Sequence, residues 1–302
     1  MLEAMLFNNL AMERPKDSWA RLPDLPFARH SAGVTRIDNQ VYIFGGQDPS
    51  ANTVVTNTLY RYNLDTGEVV SLSSAGPTIR TSPTLTAVDG KLYMMGGCAT
   101  YGKGVGIKDV WCYTPETDSW LRKADMPYAR LSHTSLALGS KIYVAAGKSS
   151  SGAANMRETL IYDTLTDTWT IGAIIPLNTR FEHSMAEYGG KFYVHAGMVS
   201  GSTKHLYCYD PETDSWTTLA QGLQDKARHV AAVVGNRMSV LVGDSQSGLR
   251  VYQYDFITGV WVSMQLALIS NNQYASAVVY KNEIYIFGGY SNNGVGLFRY
   301  TP

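Results

Sequence analysis

The feature that most limits what this chain can fold into is a short apolar run closing on glycine, repeated six times. VYIFGG ends at Gly46, LYMMGG at Gly97, IYVAAG at Gly147, FYVHAG at Gly197, MSVLVG at Gly243 and IYIFGG at Gly289, at intervals of 46 to 51 residues. Self-similarity at a fixed period of this length marks a repeat architecture, in which each unit is completed by packing against its neighbours.

Within each unit a second β-like run precedes the apolar one. The two are joined by a short turn such as Asp89-Gly90, Gly139-Ser140 or Gly189-Gly190, which reads as a hairpin. A variable loop follows the glycines, then a third run with a tyrosine, a turn, and a tryptophan. CYTPETDSW, IYDTLTDTW, CYDPETDSW and QYDFITGVW hold the tyrosine-to-tryptophan step at seven residues. Each unit is therefore predicted to be a four-stranded antiparallel meander. Such a sheet cannot bury both faces alone, so six of them stack around an axis as a β-propeller. The bulky Tyr and Trp belong between blades. The small residues of Ser31-Ala32-Gly33, Ala231-Ala232 and Ala275-Ser276-Ala277 belong where the blades converge.

A diglycine, then Tyr, then Trp, in six units of about fifty residues resembles the kelch family. The resemblance covers residues 15–302 and implies a six-bladed, all-β kelch propeller. Blade 5 departs most, with Ser239 in a tyrosine slot and Val242-Gly243 for the glycine pair, and blade 1 carries Val69 in the tryptophan slot. The chain stops at Tyr300-Thr301-Pro302, the opening of the YTPETDSW pattern, and the missing piece stands near the start as Pro15-Lys16-Asp17-Ser18-Trp19. An N-terminal strand is thus expected to complete the last blade and close the ring. Residues 1–14 read as a leader, either a short helix or disordered, and make a poor signal peptide.

Composition narrows the function. With 25 basic and 25 acidic residues the formal charge is zero, so no overall field draws the chain to nucleic acid or an anionic membrane. No apolar run reaches about 18 residues, so no membrane span is expected. Three cysteines, Cys98, Cys112 and Cys208, without a CxxC pair point to a reducing, cytoplasmic setting rather than a disulfide framework. The histidines His30, His133, His183, His229, His195 and His205 show no paired ligand spacing, so neither a metal nor another cofactor is expected.

Recognition therefore has to be local. Sixteen residues before the first glycine slot stand Arg29, Arg80, Arg130 and Arg180, with Asn272 in the sixth unit and Arg228 entering the fifth. An arginine ring on one face could grip carboxylates bidentately. Loops after the glycine pairs are expected on the same face, adding Tyr101, Lys103, Tyr274 and Tyr290. The resemblance implies a recognition surface, since kelch domains of ubiquitin-ligase adaptors use this face for acidic peptides. The chain is accordingly read as a monomeric, non-catalytic binding module for an acidic protein segment. An adaptor role would need a separate connection, because no BTB domain is present. The alternative, implied by similarity to kelch-type sialic acid mutarotases, is a sugar-acid mutarotase or epimerase acting on an anionic carbohydrate. In it Glu182 is the general acid/base and Arg180 holds the substrate carboxylate.

Overall fold

A computed structural model describes residues 17–49, 54–100, 104–150, 156–176, 181–198, 203–223, 227–244, 248–264, 273–290 and 294–302. Six four-stranded antiparallel sheets make up the blades. In blade 1 the strands run Gly33–Ile37, Gln40–Phe44, Leu59–Asn63 and Val69–Leu72, from the axis outward. Blades 2 to 5 begin with Thr84–Val88, Thr134–Leu138, Ser184–Tyr188 and Val230–Val234 and follow the same order. Blade 6 takes Ser276–Tyr280, Glu283–Phe287 and Leu297–Thr301 from the C-terminal end and its outer strand, Ser18–Arg21, from the N-terminal end. Trp19 pairs with Tyr300, so the predicted closure is present.

The core is divided among the six junctions between blades. One cluster joins Tyr93, Met95 and Val110 of blade 2 to Ile142, Val144 and Leu160 of blade 3. Another joins Tyr42, Phe44 and Leu59 of blade 1 to Leu92, Met94 and Tyr113 of blade 2. Alternation along the second strands produces this arrangement, because successive side chains point to opposite faces and both faces meet a neighbouring blade.

The tyrosine-to-tryptophan motif works as a latch between blades. Tyr113, Tyr162 and Tyr209 each donate their hydroxyl to the aspartate five residues on, Asp118, Asp167 and Asp214, at 2.6 Å. The same carboxylates accept backbone N–H groups of the preceding blade, from Ser73 at 2.9 Å, Ala124 at 2.8 Å and Ala173 at 2.7 Å. Trp120, Trp169 and Trp216 then donate their indole N–H to the carbonyls of those three residues at 2.9, 2.9 and 3.3 Å. Asp118, Asp167 and Asp214 sit at φ 46°, 56° and 46°, a left-handed conformation that Asp tolerates and most residues do not.

Candidate functional site at the channel mouth

Three of the repeated arginines, Arg29, Arg80 and Arg130, are structural. Arg80 and Arg130 have no exposed surface and Arg29 is 8% exposed. The Arg80 guanidinium pairs with Asp109, and it donates to the carbonyls of Gly96 at 3.2 Å and Thr78 at 3.1 Å. Arg130 donates to the Ala146 carbonyl at 2.8 Å and lies 3.6 Å from the Glu158 carboxylate. Burial lowers the Arg130 pKa to about 10, against the pull of Glu158. Arg29 donates to the Ala28 carbonyl and Thr58 hydroxyl, and lies over the rings of Phe27 and Tyr60. Their backbones link the blades too: the second glycine of each pair donates to the next blade's arginine carbonyl, Gly46 to Arg80, Gly97 to Arg130 and Gly289 to Arg29, at 2.9 to 3.0 Å. A Cβ on Gly45 would approach the Arg80 carbonyl oxygen to 2.6 Å, which is why the diglycine recurs there. The expected solvent-facing ring is therefore corrected for these three residues. A guanidinium tied to carbonyls at a blade junction satisfies the junction and leaves no surface for a ligand.

The mouth is built two residues further along. Ser31, Ser82, Ser132, Glu182, Arg228 and Tyr274 occupy equivalent positions, all left-handed with φ between 52° and 61°. Their backbones hydrogen-bond from blade to blade. Ser82 donates to Ser31 at 2.8 Å, Glu182 to Ser132 at 3.2 Å, Arg228 to Glu182 at 2.9 Å, Tyr274 to Arg228 at 3.2 Å and Ser31 to Tyr274 at 3.0 Å. Half of the rim thus carries serines and half carries Glu182, Arg228 and Tyr274. Arg228 belongs to this set, two positions beyond the slot that Arg29, Arg80 and Arg130 occupy, so it stands at the mouth but not in register with them. Counting sixteen back from Val242 falls on Lys226, outside the described residues.

Across the rim Arg228 Nε donates to Glu182 at 2.8 Å, and its guanidinium lies 4.9 Å from the centre of the Tyr274 ring. The Tyr274 hydroxyl donates to the other Glu182 oxygen at 3.4 Å. Side-chain exposure is 37% for Arg228 and 13% for Glu182, so the arginine is the more accessible partner. Beside them the His30 ring lies 5.9 Å from Tyr274 and 5.5 Å from the exposed Tyr290. Glu182, Arg228 and Tyr274 open onto a cavity of about 120 Å³ at the rim.

Below the rim the first strands line a channel cavity of about 240 Å³ with Gly33, Thr84, Ser135, Ser184, Ala231 and Ala277 among its walls, as the small residues predicted. Three histidines brace it. His133 contacts the Thr84 hydroxyl at 3.2 Å, His183 that of Thr134 at 2.7 Å and His229 that of Ser184 at 2.8 Å. His195 Nδ1 meets His229 Nε2 at 3.1 Å. Each is buried between blades, and among the described residues no three of His, Cys, Asp and Glu converge to hold a metal ion.

Residues 41–296 match the family described as Attractin/LZTR1 beta-propeller. The chain belongs to that family. Kelch-like protein 25 of Xenopus tropicalis is 26% identical over 265 residues, covering 82% of this chain and 42% of that protein. Kelch repeat and BTB domain-containing protein 8 of the same frog is 28% identical over 242 residues, covering 74% and 37%. Beta-scruin of Limulus polyphemus is 28% identical over 214 residues, covering 65% and 22%. This Attractin/LZTR1-type propeller therefore spans less than half of each of these relatives. The solved structure of YjhT superposes with a TM-score of 0.79 at 18% identity, covering 91% of this chain and 95% of that one, and shows the shared fold.

Of the residues expected at the mouth, Arg228, Tyr274, Tyr290 and Glu182 come together there. Arg180, Asn272, Tyr101 and Lys103 lie outside the described residues, as does the leader. Sequence reasoning passed over Ser31, Ser82 and Ser132 because the rim position keeps a backbone conformation and not a residue type. A signal was available in blades 3, 4 and 5, where each rim residue immediately precedes a histidine.

Proposed function

We propose that this propeller is a non-catalytic recognition module whose mouth takes an acidic segment of a protein partner. The carrying observation is Arg228. It is the partly exposed arginine of the rim, and Glu182 and the Tyr274 face hold its guanidinium in place, which reduces the side-chain entropy lost on binding. Tyr290, 55% exposed, adds the kind of aromatic surface on which protein interfaces concentrate their energy. The relatives that match are kelch-like proteins, which supports a protein-binding reading.

The test is titration of a fluorescent acidic peptide at low and moderate salt. Arg228→Ala should weaken binding by about ten- to a hundredfold, from a charge-assisted hydrogen bond of roughly 1.5–3 kcal/mol. A folded Arg228→Ala protein that binds as wild type would overturn the assignment.

A second reading, sugar-acid mutarotation, draws on Glu182 lying beside an arginine and three serines at the axis. Proton NMR of N-acetylneuraminic acid anomers separates the two readings. Faster equilibration that is lost in Glu182→Gln would establish catalysis and displace the binding proposal.

A further inference from the structure

The junction between blades 6 and 1 lacks the latch. Strand register places Val69 opposite Tyr62 as Trp120, Trp169, Trp216, Trp261 and Trp19 stand opposite Tyr113, Tyr162, Tyr209, Tyr254 and Tyr300. The five tryptophan rings lie 4.8 to 5.2 Å from their tyrosines, centre to centre. At Val69 no ring is supplied. The aspartate slot is Gly67, at φ 75°. On the facing blade, the residue equivalent to Ser73, Ala124 and Ala173 is Pro23, which has no N–H to give a carboxylate but keeps the carbonyl that an indole N–H would seek.

Donor, acceptor and ring are thus lost together, and an open crevice of about 360 Å³ lies in their place, with Leu22, Pro23, Tyr62 and Val69 in its walls and the charged groups of Asp24, Asp65 and Arg299 beside them. Tyr62 and Tyr285 are buried aromatic surfaces. A cavity of about 150 Å³ admits benzene, so this crevice has the volume for a bicyclic ring, with two carboxylates and a guanidinium among its walls.

We propose that this crevice is a binding site for an indole-type ring, which lies against Tyr62 and donates its N–H to the Pro23 carbonyl. The incoming ring takes the place that the chain's own tryptophan fills at the other junctions. Its source is either a free indole-class metabolite or a tryptophan side chain of another polypeptide. The site is separate from the channel mouth and does not depend on the reading of Arg228.

Indole and N-acetyl-tryptophanamide are titrated into the full chain, followed by calorimetry and by the methyl resonances of Val69 and Leu22. Both probes should bind and shift these methyls if side chains are admitted, and indole alone if only free metabolites are. 1-Methylindole, without the N–H, should bind more weakly than indole. Val69→Trp should fill the crevice, raise the melting temperature and weaken indole binding by at least about tenfold. The proposal is overturned if indole leaves the Val69 and Leu22 methyls unmoved, or if Val69→Trp folds and binds indole as wild type does. The methyl shifts decide the matter in the wild-type protein even if that variant fails to fold.

Discussion

The Tyr300 hydroxyl donates to Asp17 Oδ1 at 2.8 Å across 283 positions of sequence, making between the two chain ends the bond that Tyr113 and Asp118 make within one turn. Burial, and then the acceptor Asp17, push the Tyr300 pKa well above the ordinary phenolic value, so the hydroxyl is a donor at neutral pH. The closing blade uses the tyrosine–aspartate bond of blades 2, 3 and 4, divided between the two chain ends.

Removing the hydroxyl should be mild and removing the strand severe. Tyr300→Phe deletes the bond to Asp17 and the longer one that Gln253 Nε2 donates at 3.4 Å, and is expected to cost about 1–2 kcal/mol. Truncation through Arg21 deletes the outer strand of blade 6 and should lower the melting temperature by many degrees. Truncation through residue 12 should leave it near wild type. Equal melting curves for the two truncations would show that closure does not depend on this strand.

The arginines divide into two sets that respond differently to alanine. Arg80→Ala strands the Asp109 carboxylate, which burial alone would push up and which the Arg80 bonds hold below the ordinary carboxylate range. The expected loss is about 3–5 kcal/mol of stability, as for removal of one partner from a buried pair. Arg228→Ala, at a partly exposed pair, should change stability by about 1 kcal/mol or less. Chemical denaturation of both variants checks the contrast, and the reverse ranking would return the buried arginines to the recognition surface.

Acid should destabilise the ring before its carboxylates titrate. Burial, with the Arg130 charge adding to it, lowers the His133 pKa to about 3. Burial lowers that of His30 to about 4, with Asp48 pulling the other way. Both rings are neutral when folded, while the unfolded chain binds their protons below about pH 6.5. The unfolded state thus holds more protons between about pH 6.5 and pH 4. Stability is complete above that window and falls as pH drops through it, by about 1.4 kcal/mol per pH unit for each histidine. Urea midpoints measured from pH 8 to 4.5 should show this slope in wild type and about half of it in His133→Gln. An identical slope in both would contradict the buried neutral ring.

Blade 5 offers a stabilising change. It keeps Tyr254 and Trp261 but has Gly259, at φ 68°, in the aspartate slot, and a Cβ there would lie 3.7 Å from the Tyr254 hydroxyl and meet no other atom within 4 Å. Gly259→Asp should restore the tyrosine bond and add about 1 kcal/mol. Asp118, Asp167 and Asp214 show that the backbone tolerates the residue. A lower denaturation midpoint would mean that the Trp261 edge of the junction cannot accept a carboxylate.

How much of this could be read from residues alone follows from what each position has to conserve. The blades, their register and the closure were legible because Gly45-Gly46, Tyr113 and Trp120 recur as types: glycine for a close carbonyl, aromatics for the latch. The arginines recur just as plainly, and for Arg29, Arg80 and Arg130 the expected exposure was wrong, because a sequence period does not distinguish a guanidinium aimed at solvent from one aimed at Gly96. Val69 was visible as an exception, but its meaning needed Pro23, which only the ring brings opposite. Glu182 and Arg228 could be singled out by charge, yet their 2.8 Å contact spans 46 residues and two blades.

At the rim the chain separates what must be held from what can be varied. Left-handed backbone at Ser31, Ser82, Ser132, Glu182, Arg228 and Tyr274 joins the blades through main-chain groups, so hydroxyl, carboxylate, guanidinium and phenol stand in one geometric place without altering the joint. Six positions around one axis thereby act as an alphabet ring. A lineage could rewrite the ligand chemistry of the mouth one letter at a time while the hinge beneath each letter stays the same.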